Sequence, residues 1–405
     1  MPNRITKTHL SALFIIIFLL GLILGYFLNI AKINYFGKDT NVVLGNRLQL
    51  GLLDKIWQSL EKDFLYDDDL DKEKAVWGSA EGLVAAAGDP YTVFLRPELN
   101  KELDITLDTE LEGIGAEVAM EAGYLTIISV LPDSPARQAG LQSGDVIYEV
   151  DGKATVGMNV YEAVALVRGP DGSEVDLTMI RSGKAKPFEV KVKRSKLDIP
   201  LLDVNELEDG ILYIGVGYFG DKLMDQLSEH YNLIKSDKTK AIVWDMRYNT
   251  GGLLEEAVAL SSEFLPEGQT ISWRKYKNFK EAIKSFPGFQ NFADLNKPMV
   301  LLLNEGSASA TEIFAGVLRD YELATLVGET TLGKGSMQQI EELSGGSSLK
   351  VTIAEWLTPK EYNINGIGIS PDIEVEFDLE ADYDTQLQKA IDVLKEKTQI
   401  LNAEG

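Results

Sequence analysis

The sequence predicts a multidomain protein of mixed class, α+β with an α/β portion, and three changes in residue pattern along its 405 residues carry this prediction. Residues 41–108 place apolar side chains at the helical period. Residues 109–196 are short β-branched runs separated by Gly, Pro and Asp turns, which is typical of a small β-rich module. In residues 197–378, apolar strand runs alternate with helical patterns, which indicates an α/β layer.

Residues 1–33 combine a short basic tip with residues 10–30, a stretch that contains no charged side chain. This stretch is long enough to cross a bilayer as a helix, and no small-residue cleavage motif follows it. We therefore expect an uncleaved signal anchor rather than a cleaved signal peptide. Since Arg4 and Lys7 precede the stretch, we expect the rest of the chain on the extracytoplasmic side, in the periplasm or at the cell exterior.

Residues 41–108 predict a helical region. Its apolar positions 48, 52, 53, 56, 57 and 60 share one helical face. An acidic turn at residues 67–69 precedes a second helical pattern, which residues 88–92, GDPYT, end. We expect the acidic run at residues 67–71 to be a solvated loop, with calcium binding there as the weaker alternative, and we predict no metal site and no cofactor.

The remaining elements follow from local patterns. Within residues 109–196 the predicted elements are strands at 124–130, 146–150 and 175–180 and a helix at 160–167. Residues 241–245 and 298–304 are apolar strand runs, each followed by a glycine-containing turn, and sites are expected where such strands end. Residues 379–405 predict a closing amphipathic helix at 385–397.

Composition excludes several functions. The net charge of -24 argues against a nucleic-acid partner, because phosphate binding needs clustered Lys and Arg. The absence of cysteine excludes disulfides, thiol catalysis and thiolate metal sites. The only histidines are His9 and His230. Because His9 lies beside the apolar N-terminal stretch, only His230 could serve as a histidine base.

Residues 304–312, NEGSASATE, place Ser309 at a predicted strand-to-helix transition, where backbone N–H groups point outwards. Ser309 and Glu312 also fit a capping box, in which the serine only caps the helix. The two roles are compatible. If Ser309 is a nucleophile, the shortage of histidine makes a lysine the expected base.

Residues 328–335, GETTLGKG, nearly match the phosphate loop GxxxxGK[ST]. Gly335 stands where that loop needs a hydroxyl, and Ser336 comes one residue too late, so nucleotide binding is disfavoured. Lys334 and Gln338 are four residues apart and would share a face if this turn is helical. The alternative is a solvent-exposed lysine beside a polar glutamine.

Residues 245–252, DMRYNTGG, follow the predicted strand 241–245. Two glycines after a strand commonly mark a turn with positive φ. The functional alternative is a loop whose N–H groups form part of an oxyanion hole. The residues alone leave both interpretations open.

The combination of DMRYNTGG, NEGSASATE and GETTLGKGSMQQ, in this order and spacing, resembles the C-terminal processing peptidases, also called tail-specific proteases. The resemblance covers residues 88–373 and implies a serine protease core of the crotonase-like, ClpP-type α/β fold. It implies Ser309 as the nucleophile, Lys334 as the general base and Gln338 as the residue that orients the lysine.

The same resemblance implies an oxyanion hole formed by the N–H of Ala310 and by that of Gly251 or Gly252. Two positions depart from the usual family pattern. Thr250 replaces a proline and Thr311 replaces a serine; both lie beside the matched catalytic positions, so they affect the geometry of the loops more than the chemistry.

The β-rich module resembles a PDZ domain through residues 111–116, LEGIGA, and residues 134–145, SPARQAGLQSGD. A PDZ domain adds a peptide C-terminus as an extra strand and holds its carboxylate with backbone N–H groups. The resemblance implies a carboxylate-binding loop formed by Gly113, Ile114, Gly115 and Ala116. It also implies that Arg168 couples the PDZ domain to the catalytic body; the alternative is an exposed residue in a turn.

We therefore predict a membrane-anchored serine endopeptidase that recognises protein or peptide C-termini and cleaves peptide bonds with a Ser-Lys-Gln site. A non-catalytic PDZ scaffold that binds protein C-termini is the alternative, and an NTPase is a third, weaker one. By analogy with relatives, homodimer contacts are expected through residues 41–108 and the C-terminal helix. We also expect the PDZ domain to gate the catalytic site.

Overall fold

The computed structural model describes residues 50–100, 111–121, 123–131, 133–197, 200–288, 292–378, 381 and 383–404. The predicted membrane anchor at residues 10–30 lies outside them. Across the described ranges, no helix is both long and apolar enough to cross a membrane. The anchor therefore stays a prediction.

The described residues up to Lys72 belong to a unit of their own. Its described part contains helix α1, Gly51–Asp63, and a short 3₁₀ turn, Asp67–Asp69. The helix agrees with the predicted periodicity, and its apolar side chains Leu52 and Ile56 are exposed.

The second unit starts at Glu73 and opens with the rest of helix α2, Lys72–Ala85, and with strand β1, Val93–Leu95. The strand differs from the prediction of helices across residues 41–108. Its three side chains are buried, and it pairs antiparallel with strand β18, Ser348–Leu357. A partner so distant in sequence leaves no mark in the local pattern.

The β-rich module is an antiparallel sheet in the order β3-β4-β5-β7-β8, with β6 beside β5, while β2 pairs with β9. Its elements are β2 Leu111–Gly113, β3 Ala116–Glu121, β4 Tyr124–Val130, α3 Pro135–Gln138, β5 Val146–Val150, β6 Lys153–Ala154, α4 Val160–Val167, β7 Glu174–Ile180, β8 Phe188–Lys193 and β9 Ser195–Leu197. Its core is made of fully buried side chains, among them Leu125, Ile127, Ile147, Leu177 and Met179. The module therefore has a hydrophobic core of its own.

The α/β layer is built on a six-stranded sheet in the order β10-β11-β12-β15-β16-β19, parallel except for β10. Its strands are β10 Leu202–Glu206, β11 Ile211–Val216, β12 Ala241–Asp245, β15 Met299–Leu303, β16 Thr325–Gly328 and β19 Ile373–Glu374. Its helices are α5 Leu223–Glu229, α6 Tyr231–Lys235, α7 Leu254–Glu263, α8 Ala310–Asp320 and α9 Thr385–Glu404. The predicted α/β order is confirmed, and it brings the carboxyl ends of the neighbouring strands β12 and β15 together.

Helices cover both faces of this sheet. On one face Trp244 makes edge contacts with Phe264 and Phe314, which α7 and α8 bring to the core. On the other face α9 buries Ala390 and Leu394 against the sheet. These apolar side chains of the C-terminal helix are therefore covered within the chain.

A second sheet, in the order β1-β18-β13-β14 with β17 also paired to β18, lies beside the α/β layer. Its further strands are β13 Thr270–Tyr276, β14 Lys280–Lys284 and β17 Ser336–Glu342. Helix α8 packs against β13, and the loop between β16 and β17 carries Lys334. This sheet therefore supports one side of the candidate site.

Candidate active site

Ser309 lies between the end of β15 and the start of α8, as predicted. Its φ of +55° and ψ of −114° fall in a region that residues with a side chain rarely adopt. The backbone of Gly251 packs against it, since a Cβ built at Gly251 would lie 2.8 Å from the Ser309 Cβ. Strained conformations of this kind persist where neighbouring contacts hold them, and they cluster at active sites.

Buried polar side chains hold the turn that follows β15. Asn304 Oδ1 accepts hydrogen bonds from the N–H groups of Tyr248, at 2.8 Å, and Gly306, at 3.1 Å. The hydroxyl of Ser307 donates to the carbonyl of Met246 at 2.8 Å. The turn and the DMRYNTGG loop after β12 are thereby joined, so a shift of one must move the other.

Glu312 connects the serine turn to the lysine loop. Its carboxylate accepts hydrogen bonds from the N–H of Ser309 at 2.8 Å and from that of Lys334 at 2.9 Å. It also accepts from Gly333 N at 2.8 Å and from the Thr331 hydroxyl at 2.5 Å. Burial raises the pKa of Glu312, while these hydrogen bonds oppose the rise. The glutamate half of the predicted capping box is formed, and the same carboxylate fixes the two candidate catalytic residues relative to each other.

Lys334 lies in an extended loop that leads directly into β17, and Gln338 is on that strand. The helical turn considered for this pair is therefore wrong. Close packing requires the glycine at 335, because a Cβ there would lie 2.3 Å from the N of Asn365. In this arrangement no hydrogen bond joins the Ser309 hydroxyl to the Lys334 ammonium, so the nucleophile and the expected base are not engaged.

Residues 328–335 do not have the geometry of a phosphate loop. A phosphate loop must be followed by a helix, whereas residues 328–335 run into strand β17. Within the ranges that the structure describes, no group of three or more His, Asp or Glu side chains could hold a metal ion.

The two glycines after β12 have different surroundings. Gly251 N–H donates to Asn249 Oδ1 at 2.9 Å and is therefore already engaged. Gly252, at φ +135°, packs on Phe219, and in the described part of the chain its N–H has no hydrogen-bond acceptor. Ala310 N–H, at the first position of α8, likewise has no acceptor there. One unengaged donor therefore directly follows Ser309 in the chain, and the other directly follows Gly251, the glycine that packs against Ser309.

The β-rich module packs against the lysine side of the site. Glu117 on β3 has a buried carboxylate oxygen, Oε2, that accepts no hydrogen bond from any residue that the structure describes. Burial raises the pKa of Glu117 to about 7; the positive charge of Lys334 opposes this rise, and the negative charge of Glu312 adds to it. On α4, the Tyr161 hydroxyl accepts a short hydrogen bond from Lys350 Nζ on β18. These residues lie far apart in the sequence, which gives no sign that they meet.

Two further contacts join the module to the loops around Ser309. The Arg137 guanidinium lies 5.8 Å from the centre of the Tyr248 ring and 3.4 Å from its hydroxyl oxygen. Glu305 hydrogen-bonds Ser143, while burial raises the pKa of Glu305. Arg168 ends helix α4, and its Cγ would lie 4.0 Å from a Cβ built at Gly113, within the module itself. The coupling role of Arg168 stays a prediction, and the contact of Arg137 with Tyr248 is one that the sequence did not reveal.

The predicted carboxylate loop connects β2 to β3. Ile114 is buried, and its carbonyl accepts from Ala136 N at 2.7 Å, while the Gly115 carbonyl accepts from Leu131 N at 3.0 Å. In this part of the structure no acceptor engages the N–H groups of Ile114 and Gly115. Gly115 has a φ of +77°, and a Cβ there would lie 2.3 Å from that of Ser134. Free N–H groups in a tight loop are what a terminal carboxylate requires.

Comparisons with known families match both modules. The model of peptidase family S41 matches residues 210–375, which include Ser309, Lys334 and Gln338. A PDZ domain model matches residues 126–181. PDZ domains bind peptide C-termini by strand addition.

Curated relatives and a solved structure agree with these matches. The carboxy-terminal processing protease CtpA of Bacillus subtilis is 34% identical over 80% of this chain and 68% of its own length. A carboxy-terminal-processing protease of Bartonella bacilliformis is 35% identical over 77% of this chain and 72% of its own. The structure of a photosystem II D1 C-terminal processing protease superposes with a TM-score of 0.70 at 23% identity, covering 86% of this chain and 98% of that one, which shows the shared fold.

Proposed function

The chain belongs to the carboxy-terminal processing serine peptidases of family S41, and from its site we propose that it is an endopeptidase with Ser309 as nucleophile, Lys334 as general base and Gln338 as the residue that orients the base. The main support is the Glu312 carboxylate, which accepts from the N–H groups of both Ser309 and Lys334. The strained backbone of Ser309 is a second support.

The proposed reaction has two steps. Neutral Lys334 accepts the hydroxyl proton of Ser309 while Oγ forms a bond to the scissile carbonyl carbon. The N–H groups of Ala310 and Gly252 stabilise the oxyanion, because the Gly251 N–H is already donated to Asn249. The C–N bond breaks as the Lys334 ammonium returns its proton to the leaving amine. Water, activated by the same lysine, then hydrolyses the acyl-enzyme.

The PDZ domain selects substrates with a free C-terminus in this proposal. The substrate strand adds beside the module's sheet, and its carboxylate accepts from backbone N–H groups of the loop formed by Gly113, Ile114, Gly115 and Ala116. Because the module contacts both the lysine side and the serine turn, an incoming C-terminus that moves it also changes the catalytic site.

We further propose that residues 1–33 anchor the enzyme in the membrane with its catalytic part on the extracytoplasmic side. A homodimer through the N-terminal helical region completes the proposal; the exposed Leu52 and Ile56 on α1 are compatible with it. Fractionation of cells that express the full chain, followed by protease protection of the membrane fraction, tests the anchor. Light scattering of the detergent-solubilised protein tests the dimer.

The catalytic assignment is tested by cleavage of an unstructured protein that has a free C-terminus. Ser309→Ala and Lys334→Ala should each lower kcat/KM by about a thousandfold or more, because the pair acts as a unit. Ser344→Ala and Lys360→Ala, at exposed positions, should cleave like the wild type. Undiminished cleavage by either site variant would contradict the assignment. A wild type that binds such C-termini without cutting them would indicate the PDZ scaffold.

A further inference from the structure

The turn at residues 88–92, GDPYT, has no role in the reaction as proposed so far, yet it lies against the strand pair that carries Gln338. Strand β18 pairs with β1 at residues 348–350 and with β13 at residues 354–357. Thr352 lies in the gap between these pairings, where its N–H donates to the Thr92 hydroxyl at 3.1 Å. On the other side of β18, Thr352 is the register partner of Gln338.

A chain of hydrogen bonds runs from Gln338 through Thr352 to Asp89. Gln338 Nε2 donates to the hydroxyl oxygens of Ser336 at 2.9 Å and of Thr352 at 3.2 Å. The Thr352 hydroxyl in turn hydrogen-bonds the Asp89 carboxylate. That carboxylate also accepts from the Thr92 hydroxyl at 2.5 Å and from Tyr91 N at 3.1 Å.

The direction of each bond follows from what each group can donate. A carboxylate can only accept, so the Thr352 hydroxyl must point its proton at Asp89 and can only accept from Gln338. Burial alone would raise the pKa of Asp89, but the hydrogen bonds from Thr352, Thr92 and the backbone lower it, which keeps the group ionised at neutral pH. The amide nitrogen of Gln338 is therefore fixed towards Thr352. The amide oxygen of Gln338, Oε1, remains as an acceptor to which none of the described residues donates.

This orientation matters because an ammonium group can only donate. A glutamine that holds a lysine must present Oε1 to it, and a flipped amide would present N–H groups instead. We propose that Asp89 and Thr352 are positioning residues that fix the Gln338 amide with Oε1 towards the general base. This inference rests on the proposed roles of Lys334 and Gln338.

The test combines conservative variants with a double-mutant cycle. Thr352→Val keeps the shape of the side chain and removes the hydroxyl. In Asp89→Asn the new amide can donate to the Thr352 hydroxyl oxygen, so the hydroxyl proton of Thr352 is free to turn towards Gln338. Each should lower kcat by about tenfold with little change in KM, because the base is misoriented while substrate binding is intact. Thr352→Ser, which keeps the hydroxyl, should lose far less. Melting temperatures identify any variant that fails to fold. If Thr352→Val is lost in this way, kcat of Thr352→Ser is compared with kcat of Asp89→Asn instead.

The decisive arm repeats these changes in a Gln338→Ala background. If Thr352 and Asp89 act through the glutamine, their substitution there should change kcat less than twofold. A further tenfold loss on top of Gln338→Ala would overturn the inference while leaving the catalytic assignment intact. Equal losses for Thr352→Ser and Thr352→Val would also overturn it. Cleavage retained by Ser309→Ala would contradict the proposed function itself, and the inference with it.

Discussion

At the scale of single residues, the unusual backbone of Ser309 depends on a glycine at position 251. A Cβ there would lie 2.8 Å from the Ser309 Cβ and 2.9 Å from both Ala308 O and Ala310 N. These neighbours are backbone atoms or the side chain of Ser309, the proposed nucleophile, so none can move aside without distorting the turn. The φ of +105° at Gly251 adds strain for any residue with a side chain.

Gly251→Ala is therefore expected to lower kcat/KM by at least about tenfold and the free energy of unfolding by about 1 kcal/mol or more. The matched control is Gly268→Ala, since Gly268 also has a positive φ, +83°, but nothing lies within 4 Å of its Cβ position. It should lose a similar amount of stability and no activity. Denaturant unfolding and kcat/KM of both variants check this. Equal activity in the two variants would show that crowding at Ser309 is unimportant.

At the scale of elements, local periodicity predicted those helices and strands whose apolar pattern lies within the element itself. The strand runs at 241–245 and 298–304 and the helix at 160–167 are apolar in patterns that each element produces by itself, and all three are found. Strand β17 was missed because its side chains, SMQQIEE, are mostly polar and exposed, and strand β1 was missed because its partner, β18, is distant in sequence. Glu117 and Arg137 were missed as neighbours of the site for the same reason, since only the packing of two modules brings them there.

Helix α9 is attached to the loop after β12 through a partly buried ion pair between Arg247 and Asp384 and through a hydrogen bond from Arg247 to Gln386. The Arg247 guanidinium donates to the Asp384 carboxylate at 2.7 and 2.9 Å and to Asp245 at 2.6 Å. Asp384 also caps the helix, because it accepts from Leu387 N at 2.9 Å. Burial alone would raise the pKa of Asp384, but the contact with Arg247 and the backbone N–H groups hold it below its usual value of 3.8.

Asp384→Asn should keep the helix cap and lose the charge, which leaves Arg247 with only one of its two carboxylates. We expect the free energy of unfolding to fall by about 2 kcal/mol at pH 7. Since the folded-state pKa is depressed, this stabilisation is present above pH 3.8 and is lost as the pH falls below it. Denaturant unfolding at several pH values checks both points. Glu396→Gln, at an exposed position of α9, is the control. If the difference in unfolding free energy between Asp384→Asn and the wild type stays the same at the lowest pH, the ion-pair explanation is contradicted.

At the scale of the whole molecule, the β-rich module packs against the α/β layer and its Glu117 carboxyl becomes buried. The groups whose charges act on the Glu117 carboxyl are Lys334 and Glu312, and none of the described residues donates a hydrogen bond to its Oε2. The Lys334 charge only partly offsets the cost of burial, which is why the pKa rises from 4.5 to about 7. Ionisation of Glu117 therefore opposes this packing of the two modules.

The sign of the pH dependence follows from that rise. In the unfolded chain Glu117 ionises near pH 4.5, whereas in the folded protein it keeps its proton up to about pH 7. Between these values the folded state binds more protons, so this group makes the protein less stable as the pH increases. Glu117→Gln removes the group, and its free energy of unfolding should match that of the wild type near pH 4.5. By pH 8 it should exceed the wild-type value by up to about 3 kcal/mol.

Unfolding measured by denaturant at pH 4.5, 6 and 8 tests this, with Glu121→Gln as the control because Glu121 is an exposed acid on the same strand. The control should follow the wild type at every pH. An advantage of Glu117→Gln that is the same at pH 4.5 and pH 8 would mean that lost volume or hydrogen bonding, not ionisation, is responsible. If instead the stability gain of Glu117→Gln over the wild type grows with pH, ionisation of this carboxyl weakens the packing of the β-rich module against the α/β layer.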